Sequence, residues 1–367
     1  MNICVVGAGM QGRIAARDLK AAGYEVTVFD NDKKSLQFVR EKFGLKVKKV
    51  DVTDRQRFVT LIKRFDIVVG ALPAALGFYT MKCAVAAGVD LVDLSYASED
   101  PFLLDGKARN RKVKIVPDAG FAPGLSNILV GEAYREMKGI ESLRILVGGI
   151  PQVPQPPFNY RITWSPADLV EEYTRPTRIV RNKKTVIVET LSGIEEFNQP
   201  PIGRLECFYT DGLRTLLRTM KGVRNMEEKT IRYPGHARLF KTIIECGFLS
   251  DQILPYKKRT VNLKEINLVY LWNVLKKGSE KDISILKIEI RKGGKKRKYV
   301  CIDYYDKKNS ITSMARMTAY TGSIITQCIK THPGYGVIPP EYLGMRKQLC
   351  CFIKAELKKR NIIIKKY

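Results

Sequence analysis

The chain has 367 residues, 45% of them apolar, with unremarkable glycine and proline content and a formal net charge of +27. That length exceeds one comfortable hydrophobic core, so two domains are expected, and the composition excludes collagenous, repetitive and disordered classes. No run approaches the roughly 18 consecutive apolar residues of a membrane-spanning helix, and Met1-Asn2-Ile3-Cys4-Val5-Val6 enters a strand-like segment with no basic leader, so a cytoplasmic protein with no membrane partner is expected.

Eight cysteines lack Cys-x-x-Cys spacing, Cys350 and Cys351 are adjacent, and His236 and His332 are the only histidines. This pattern predicts reduced, buried thiols and no metal site. The basic residues are spread along the chain and interleaved with acids, as in Glu227-Glu228-Lys229. The densest run, Arg291 to Lys298, surrounds Gly293-Gly294 between two strand-like segments and reads as a solvated hairpin tip. No specific nucleic-acid partner is expected, since net charge speaks to solubility and non-specific association. A positive field also suits a dinucleotide and a carboxylate substrate, and Lys-rich surfaces accompany thermostability.

In chain order, strands are expected at 2–6, 25–29, 45–50, 66–71, 90–94 and 113–116. Between them helices are expected at Gln11–Ala22, Lys33–Phe43, Phe58–Lys63 and Tyr79–Ala87, several closed by glycine. Short Val- and Ile-rich runs alternating with helices predict a parallel sheet covered on both faces. After a helix at Val130–Met137 comes a Pro-rich loop from Pro151 to Pro157, then a hairpin signal around Asn182-Lys183-Lys184. Strand-like stretches follow near 204–209, 229–233 and 284–306, and helices near 310–318 and 341–359. The fold class is therefore α/β. A Rossmann domain with a parallel sheet covers 1–125, to which helices from about 308–367 return. A second α+β domain, 126–307, has a mixed, largely antiparallel sheet.

Gly7-Ala8-Gly9-Met10-Gln11-Gly12 follows the first strand and opens the first helix, and Asp30 lies 18 residues after Gly12 at the end of the second strand. That context makes the glycine spacing a dinucleotide fingerprint. Gly7 permits the tight turn, Gly9 lets backbone approach the pyrophosphate, and Gly12 lets helix pack on strand. Unpaired N–H groups at the helix start, including those of Met10 and Gln11, meet phosphate oxygens along a favourable dipole. Asp30, followed by Asn31, would bond the adenosine ribose and repel a 2′-phosphate, which predicts NAD over NADP; Lys33 and Lys34 nearby could tolerate one. Further cofactor contacts are expected at the carboxyl ends of the other strands: Asp51-Val52, Ala71-Leu72-Pro73, Ser95-Tyr96 and Asp118.

The segment Pro117-Asp118-Ala119-Gly120-Phe121-Ala122-Pro123-Gly124-Leu125-Ser126-Asn127 resembles the D-x-G-x-x-P-G turn of the saccharopine dehydrogenase superfamily. Gly149-Ile150-Pro151 with Tyr160-Arg161-Ile162-Thr163-Trp164-Ser165, Tyr209 to Leu216, and Gly336-Val337-Ile338-Pro339-Pro340-Glu341 agree, so the resemblance spans almost the whole chain. Glu189-Thr190-Leu191-Ser192-Gly193 and the short chain are most similar to the L-lysine 6-dehydrogenases. The resemblance implies NAD-dependent oxidation of the ε-amine of L-lysine to a semialdehyde that cyclises to 1-piperideine-6-carboxylate. It also implies a homodimer.

Only a neutral amine can expel hydride, and a free lysine amine has a pKa near ~10.4. The chemistry therefore needs a proton acceptor. Asp118 is the first candidate, either as that acceptor or as the group that holds the ammonium; Tyr96 and His236 are rivals, and Asp118 could instead simply cap its turn. A guanidinium suits the α-carboxylate. Arg214, beside Thr215 in a loop that matches a family substrate segment, is the candidate, with Gly120 and Phe121 as further substrate contacts. Trp164 reads as core. Saccharopine dehydrogenase and carboxynorspermidine dehydrogenase activities remain alternatives, as does a cofactor-binding sensor or polyanion-binding protein without turnover.

Overall fold

The computed structural model describes residues 1–163, 165–257 and 259–367, so Trp164 lies outside the described residues. The chain forms two compact units, Met1–Gly139 with Ala315–Ile363, and Ile140–Met314 with Ile364–Tyr367.

The first unit alternates β1 (Asn2–Val6), α1 (Met10–Ala21), β2 (Glu25–Asp30), α2 (Lys33–Phe43), β3 (Lys46–Lys49), α3 (Arg55–Ile62), β4 (Ile67–Gly70), α4 (Ala74–Ala87), β5 (Asp90–Asp93), α5 (Asp105–Asn110), β6 (Lys114–Val116) and α6 (Leu125–Met137). Its sheet runs β6-β5-β4-β1-β2-β3, with the short strand Gly336–Val337 added outside β6, and every pairing is parallel. This is the strand order of a doubly wound dinucleotide-binding sheet, which reverses between β1 and β4. Alternate residues of β1 enter opposite cores: Cys4 and Val6 join one, Ile3 and Val5 the other. Both faces are covered, as the continuous apolar strands require.

Side chains punctuate the helices. The Asp32 carboxylate accepts the Lys34 and Ser35 N–H groups at the start of α2, and Gly44 ends it at φ 59°. Helix α4 begins at Ala74, five residues before the expected start, because Pro73 sets its first turn and the helix is buried along its length. Helix α6 stays with the first unit beyond the expected boundary at 125. A Cβ on Gly131 would sit 2.0 Å from the Glu341 carbonyl oxygen, and one on Gly344 would sit 1.9 Å from that of Ile128. Glycine thus lets α6 meet the helix Pro340–Met345 backbone to backbone. The single helix expected at 341–359 is two, Pro340–Met345 and Lys347–Lys359, parted by extended Arg346.

The second unit comprises β7 (Ser142–Pro151), α7 (Pro166–Thr174), β8 (Thr177–Arg181), β9 (Lys184–Val188), β10 (Glu195–Gln199), β11 (Gly203–Tyr209), α8 (Leu216–Thr219), β12 (Asn225–Arg232), α9 (His236–Glu245), β13 (Ile253–Tyr256), β14 (Arg259–Asn262), α10 (Leu263–Leu275), β15 (Asp282–Lys292) and β16 (Lys295–Tyr304). The main sheet runs β10-β11-β12-β7-β15-β16 and ends on Ile364–Lys366, with the β8–β9 hairpin attached to β12. Only β12 and β7 pair parallel. Both expected hairpins form on two-residue turns with left-handed residues, Asn182-Lys183 at φ 49° and 68°, and Gly293-Gly294 at 52° and 76°.

Candidate active site

The three fingerprint glycines have different jobs. Gly7 adopts φ +108°, and a Cβ there would lie 2.4 Å from the Ala71 carbonyl oxygen. A Cβ on Gly12 would lie 1.9 Å from the Gly7 oxygen. These two glycines serve the fold, letting α1 start against β1 and β4. At Gly9, among the described residues beyond its own chain neighbours and helix, nothing comes within 4 Å of where a Cβ would be. Its small size leaves room for something outside the chain. Met10 and Gln11 begin α1, Gly9 provides no side-chain cap, and Gln11 Oε1 is buried without a hydrogen-bond partner. Uncapped N–H groups at a helix start and open space above glycine together fit a dinucleotide pyrophosphate.

Asp30 closes the turn from the neighbouring strand. Its Oδ2 accepts the Ala8 N–H at 2.5 Å, and its Oδ1 accepts that of Asp32 at 2.8 Å. Asn31 beside it is exposed. After β3, bonds from the Thr53 N–H and hydroxyl hold the Asp51 carboxyl below the usual range, and Val52 is buried. At the end of β4, Ala71 and Leu72 are half-buried and Pro73 is exposed.

The ends of β5 and β6 carry the acids. Asp93 is 1% exposed, and its Oδ1 accepts both the N–H (2.9 Å) and the hydroxyl of Ser95, which precedes half-buried Tyr96. Asp118 is 2% exposed at φ +52°, a left-handed conformation unusual for a buried non-glycine residue. The following Ala119 N–H donates to the Asp93 carbonyl at 2.8 Å, which ties the two strand ends together. Gly120 and Phe121 are buried in the turn. Gly124 is obligatory there: it has φ +130°, and a Cβ would meet the Gly120 oxygen at 2.0 Å. The Asp118 conformation costs about 1–3 kcal/mol and persists where the surroundings over-determine it.

In the second unit, Arg214 is buried at φ +50° and Thr215 is buried beside it. In the same loop, the Asp211 carboxylate receives both the Nε and Nη2 of Arg178, at 2.9 and 2.6 Å. His236 differs from its expected role. It is wholly buried at the start of α9; Nε2 lies 2.9 Å from the Tyr173 hydroxyl and Nδ1 2.8 Å from the Phe158 carbonyl. Burial, with Arg232 nearby, pushes its pKa down to about 3. The ring is a neutral core group between aromatic neighbours, so Asp118 and Tyr96 are the remaining proton-transfer candidates.

On β12, Glu228, Lys229 and Arg232 are buried. Lys229 donates to the Gly193 carbonyl at 2.6 Å and to Glu195. Arg232 donates to the Tyr173 hydroxyl at 3.0 Å and lies 3.7 Å from Glu172. Thr230 links to Glu172 (2.6 Å) and to Thr210 (2.8 Å), which in turn contacts Glu228 (2.8 Å). Three links need three protons and the two hydroxyls supply two, so one carboxyl keeps its own. Burial pushes both carboxyls of the network, Glu228 and Glu172, upward.

Comparison with known proteins divides the chain near residue 119. Residues 3–118 match the saccharopine dehydrogenase NADP binding domain, and residues 120–363 match the saccharopine dehydrogenase C-terminal domain. The chain belongs to the saccharopine dehydrogenase family. It is similar to saccharopine dehydrogenase [NADP(+), L-glutamate-forming] of Pyricularia oryzae, at 21% identity over 72% of this chain and 61% of that one. It is also similar to alpha-aminoadipic semialdehyde synthase of Arabidopsis thaliana, at 24% identity over 58% of this chain and 21% of the relative. The chain thus spans less than two thirds of the length of these curated relatives. The solved structure of saccharopine dehydrogenase (L-Glu forming) from Saccharomyces cerevisiae has the same fold, with a TM-score of 0.79 over 100% of this chain and 99% of that one, at 17% identity.

Among the described residues, no helix is long and apolar enough to cross a membrane, and no group of three or more His, Cys, Asp or Glu is placed to hold a metal ion. All eight cysteines are free.

Proposed function

We propose that this protein is a nicotinamide-dependent amine dehydrogenase that oxidises the ε-amine of L-lysine. The observation that carries the reading is Asp118, a buried carboxyl in a left-handed conformation at the end of β6, in the same parallel sheet as the dinucleotide turn. Ligands of such sheets sit at the carboxyl ends of the strands. Asp118 holds the substrate ammonium and takes its proton, and buried Phe121 contributes apolar surface that disfavours the charged amine. Tyr96 offers a hydroxyl to the same exchange. When bound, the nicotinamide supplies the two-electron acceptor: hydride leaves Cε, and water hydrolyses the resulting imine to the semialdehyde and ammonia. Arg214 pairs with the α-carboxylate.

Asp30 supports NAD as the preferred cofactor, because its carboxylate would face a 2′-phosphate, although the matched family domain is described as NADP-binding. NAD is expected to give the higher kcat/KM, and Asp30→Ser is expected to narrow the ratio; a wild-type preference for NADP overturns this assignment. A second reading, saccharopine oxidation, is favoured by the names of the relatives. Following NADH formation with L-lysine, saccharopine and other amines in turn separates the two. NADH from saccharopine but not from lysine overturns the lysine reading, and silence with every amine leaves a binding protein without turnover. The homodimer implied by the family resemblance is tested by the solution mass of the protein.

A further inference from the structure

Asp93 is a buried acid that the proposed reaction does not use. It ends β5, in the half of the sheet (β4, β5, β6) on the far side of the reversal from Asp30. Doubly wound sheets divide a dinucleotide between two such halves. With Asp30 assigned to the adenosine ribose, the β4–β6 half takes the nicotinamide.

The Asp93 carboxyl lies against β4 so closely that a Cβ on Gly70 would stand 2.1 Å from its Oδ2. On its other side, Ser95 is pinned against α4, where a Cβ on Gly77 would meet the Ser95 hydroxyl at 1.9 Å. Two glycines on adjacent elements thus make room for an acid and its hydroxyl partner. No cation balances the acid: among the described residues its ionic neighbour is another carboxyl, Asp118. The other charged groups on the surrounding elements are engaged elsewhere. Asp90, at the opposite end of β5, pairs with Lys330, and Tyr79 and Cys83 of α4 interact with each other and with Arg55. Lys82 of α4 lies over Phe78, and Lys114 of β6 donates to the carbonyls of residues 329, 330 and 332. β4 carries no ionisable side chain. Burial, opposed by the Ser95 hydrogen bonds, pushes the Asp93 carboxyl up to about 7.

We propose that Asp93 is a positioning residue whose proton reports the redox state of the nicotinamide: ionised, it favours the oxidised ring, and protonated, it favours the reduced one. The physical reason is charge. The oxidised nicotinamide ring carries a unit positive charge and the reduced ring carries none. A carboxylate in a low-dielectric sheet end therefore stabilises NAD selectively, and binding of NAD in turn favours loss of the Asp93 proton. Hydride arrival removes the ring's charge, and Asp93 then recovers a proton from solvent. This rests on the dinucleotide reading of the first unit but not on the identity of the amine.

The test is the pH dependence of the dissociation constants of NAD and NADH for the full chain, with no amine present. The ratio Kd(NAD)/Kd(NADH) is expected to fall on the order of tenfold as pH rises through about 7. Asp93→Asn, which keeps an acceptor for Ser95 but cannot ionise, is expected to flatten that dependence. Ser95→Ala, which removes a bond favouring the charged form, is expected to move the transition to higher pH. As a readout independent of affinity, the infrared carbonyl absorption of protonated carboxylic acid is expected to be larger in the NADH complex than in the NAD complex near neutral pH, and this difference is expected to vanish in Asp93→Asn. A ratio that is flat in the wild type, or that titrates identically in Asp93→Asn, overturns the proposal while leaving cofactor binding intact. Failure of both NAD and NADH to bind overturns it together with the dinucleotide reading.

Discussion

The two units deal with charge in opposite ways. In the first, the central strands β1 and β4 carry no charged side chain, and the acids Asp30, Asp93 and Asp118 lie at or just beyond the carboxyl ends of β2, β5 and β6. In the second, ionisable groups sit within the sheet itself: Glu228, Lys229 and Arg232 lie along one strand, satisfied by Thr210, Glu195, Tyr173 and Glu172. A parallel sheet covered on both faces leaves its strand ends as the place for polar chemistry. A mixed sheet can carry buried ions only where a network satisfies each of them. The first arrangement is suited to a ligand and the second to a rigid scaffold, so substitutions in the two are expected to fail differently.

The sharpest contrast is between Asp118 and Arg232. Asp118→Asn is expected to lower kcat by about 10²–10⁴-fold with little change in the NAD dissociation constant. Equal turnover in the variant would remove Asp118 from the chemistry. Arg232→Ala is expected to act on stability, by about 3–5 kcal/mol in denaturant unfolding, because it removes a buried cation that bonds the Tyr173 hydroxyl and offsets half-buried Glu172. An unchanged midpoint would show that the second unit does not depend on its buried charges.

A smaller effect follows from His236. Its folded pKa is depressed, so the unfolded chain binds more protons in acid. Its contribution is present above about pH 6.5 and is lost as pH falls toward 3. Between about pH 7 and pH 4.5, wild type is expected to lose about 2 kcal/mol more than His236→Gln; parallel melting-temperature curves would contradict this. The smallest effect is that of Arg214→Ala, expected to raise the lysine KM about tenfold, the scale of one charged hydrogen bond. An unaltered KM would move the carboxylate contact elsewhere.

The first unit was legible because its local signals agree. Apolar runs, glycine stops and the fingerprint spacing all report short-range requirements. β7 was harder to see, since Gly148-Gly149 within it resembles a turn. In the fold a Cβ on Gly148 would stand 2.4 Å from the Ile231 carbonyl oxygen, and one on Gly149 would stand 2.4 Å from Met314, so these glycines admit close neighbours. Helix α10 carries apolar residues all round and shows no amphipathic period. Helix α7 carries a local start signal in Ser165-Pro166, where the Ser165 hydroxyl accepts the Asp168 N–H. Asp93 escaped notice because it stands two residues before Ser95 and, in sequence, looks like any strand-ending acid.

The sequence alone determined the glycine turn, its helix and the acid at the end of β2, because each follows from a spacing and a backbone conformation that only certain residues permit. It also carried the family, through short motifs spread along the chain. Charge states belonged to the tertiary structure. Whether Asp93 and Glu228 hold protons, whether His236 stays neutral and whether Lys229 is buried all depend on desolvation and on partners brought in from distant strands. Those quantities have no local signature, since the same residue in water has its ordinary charge.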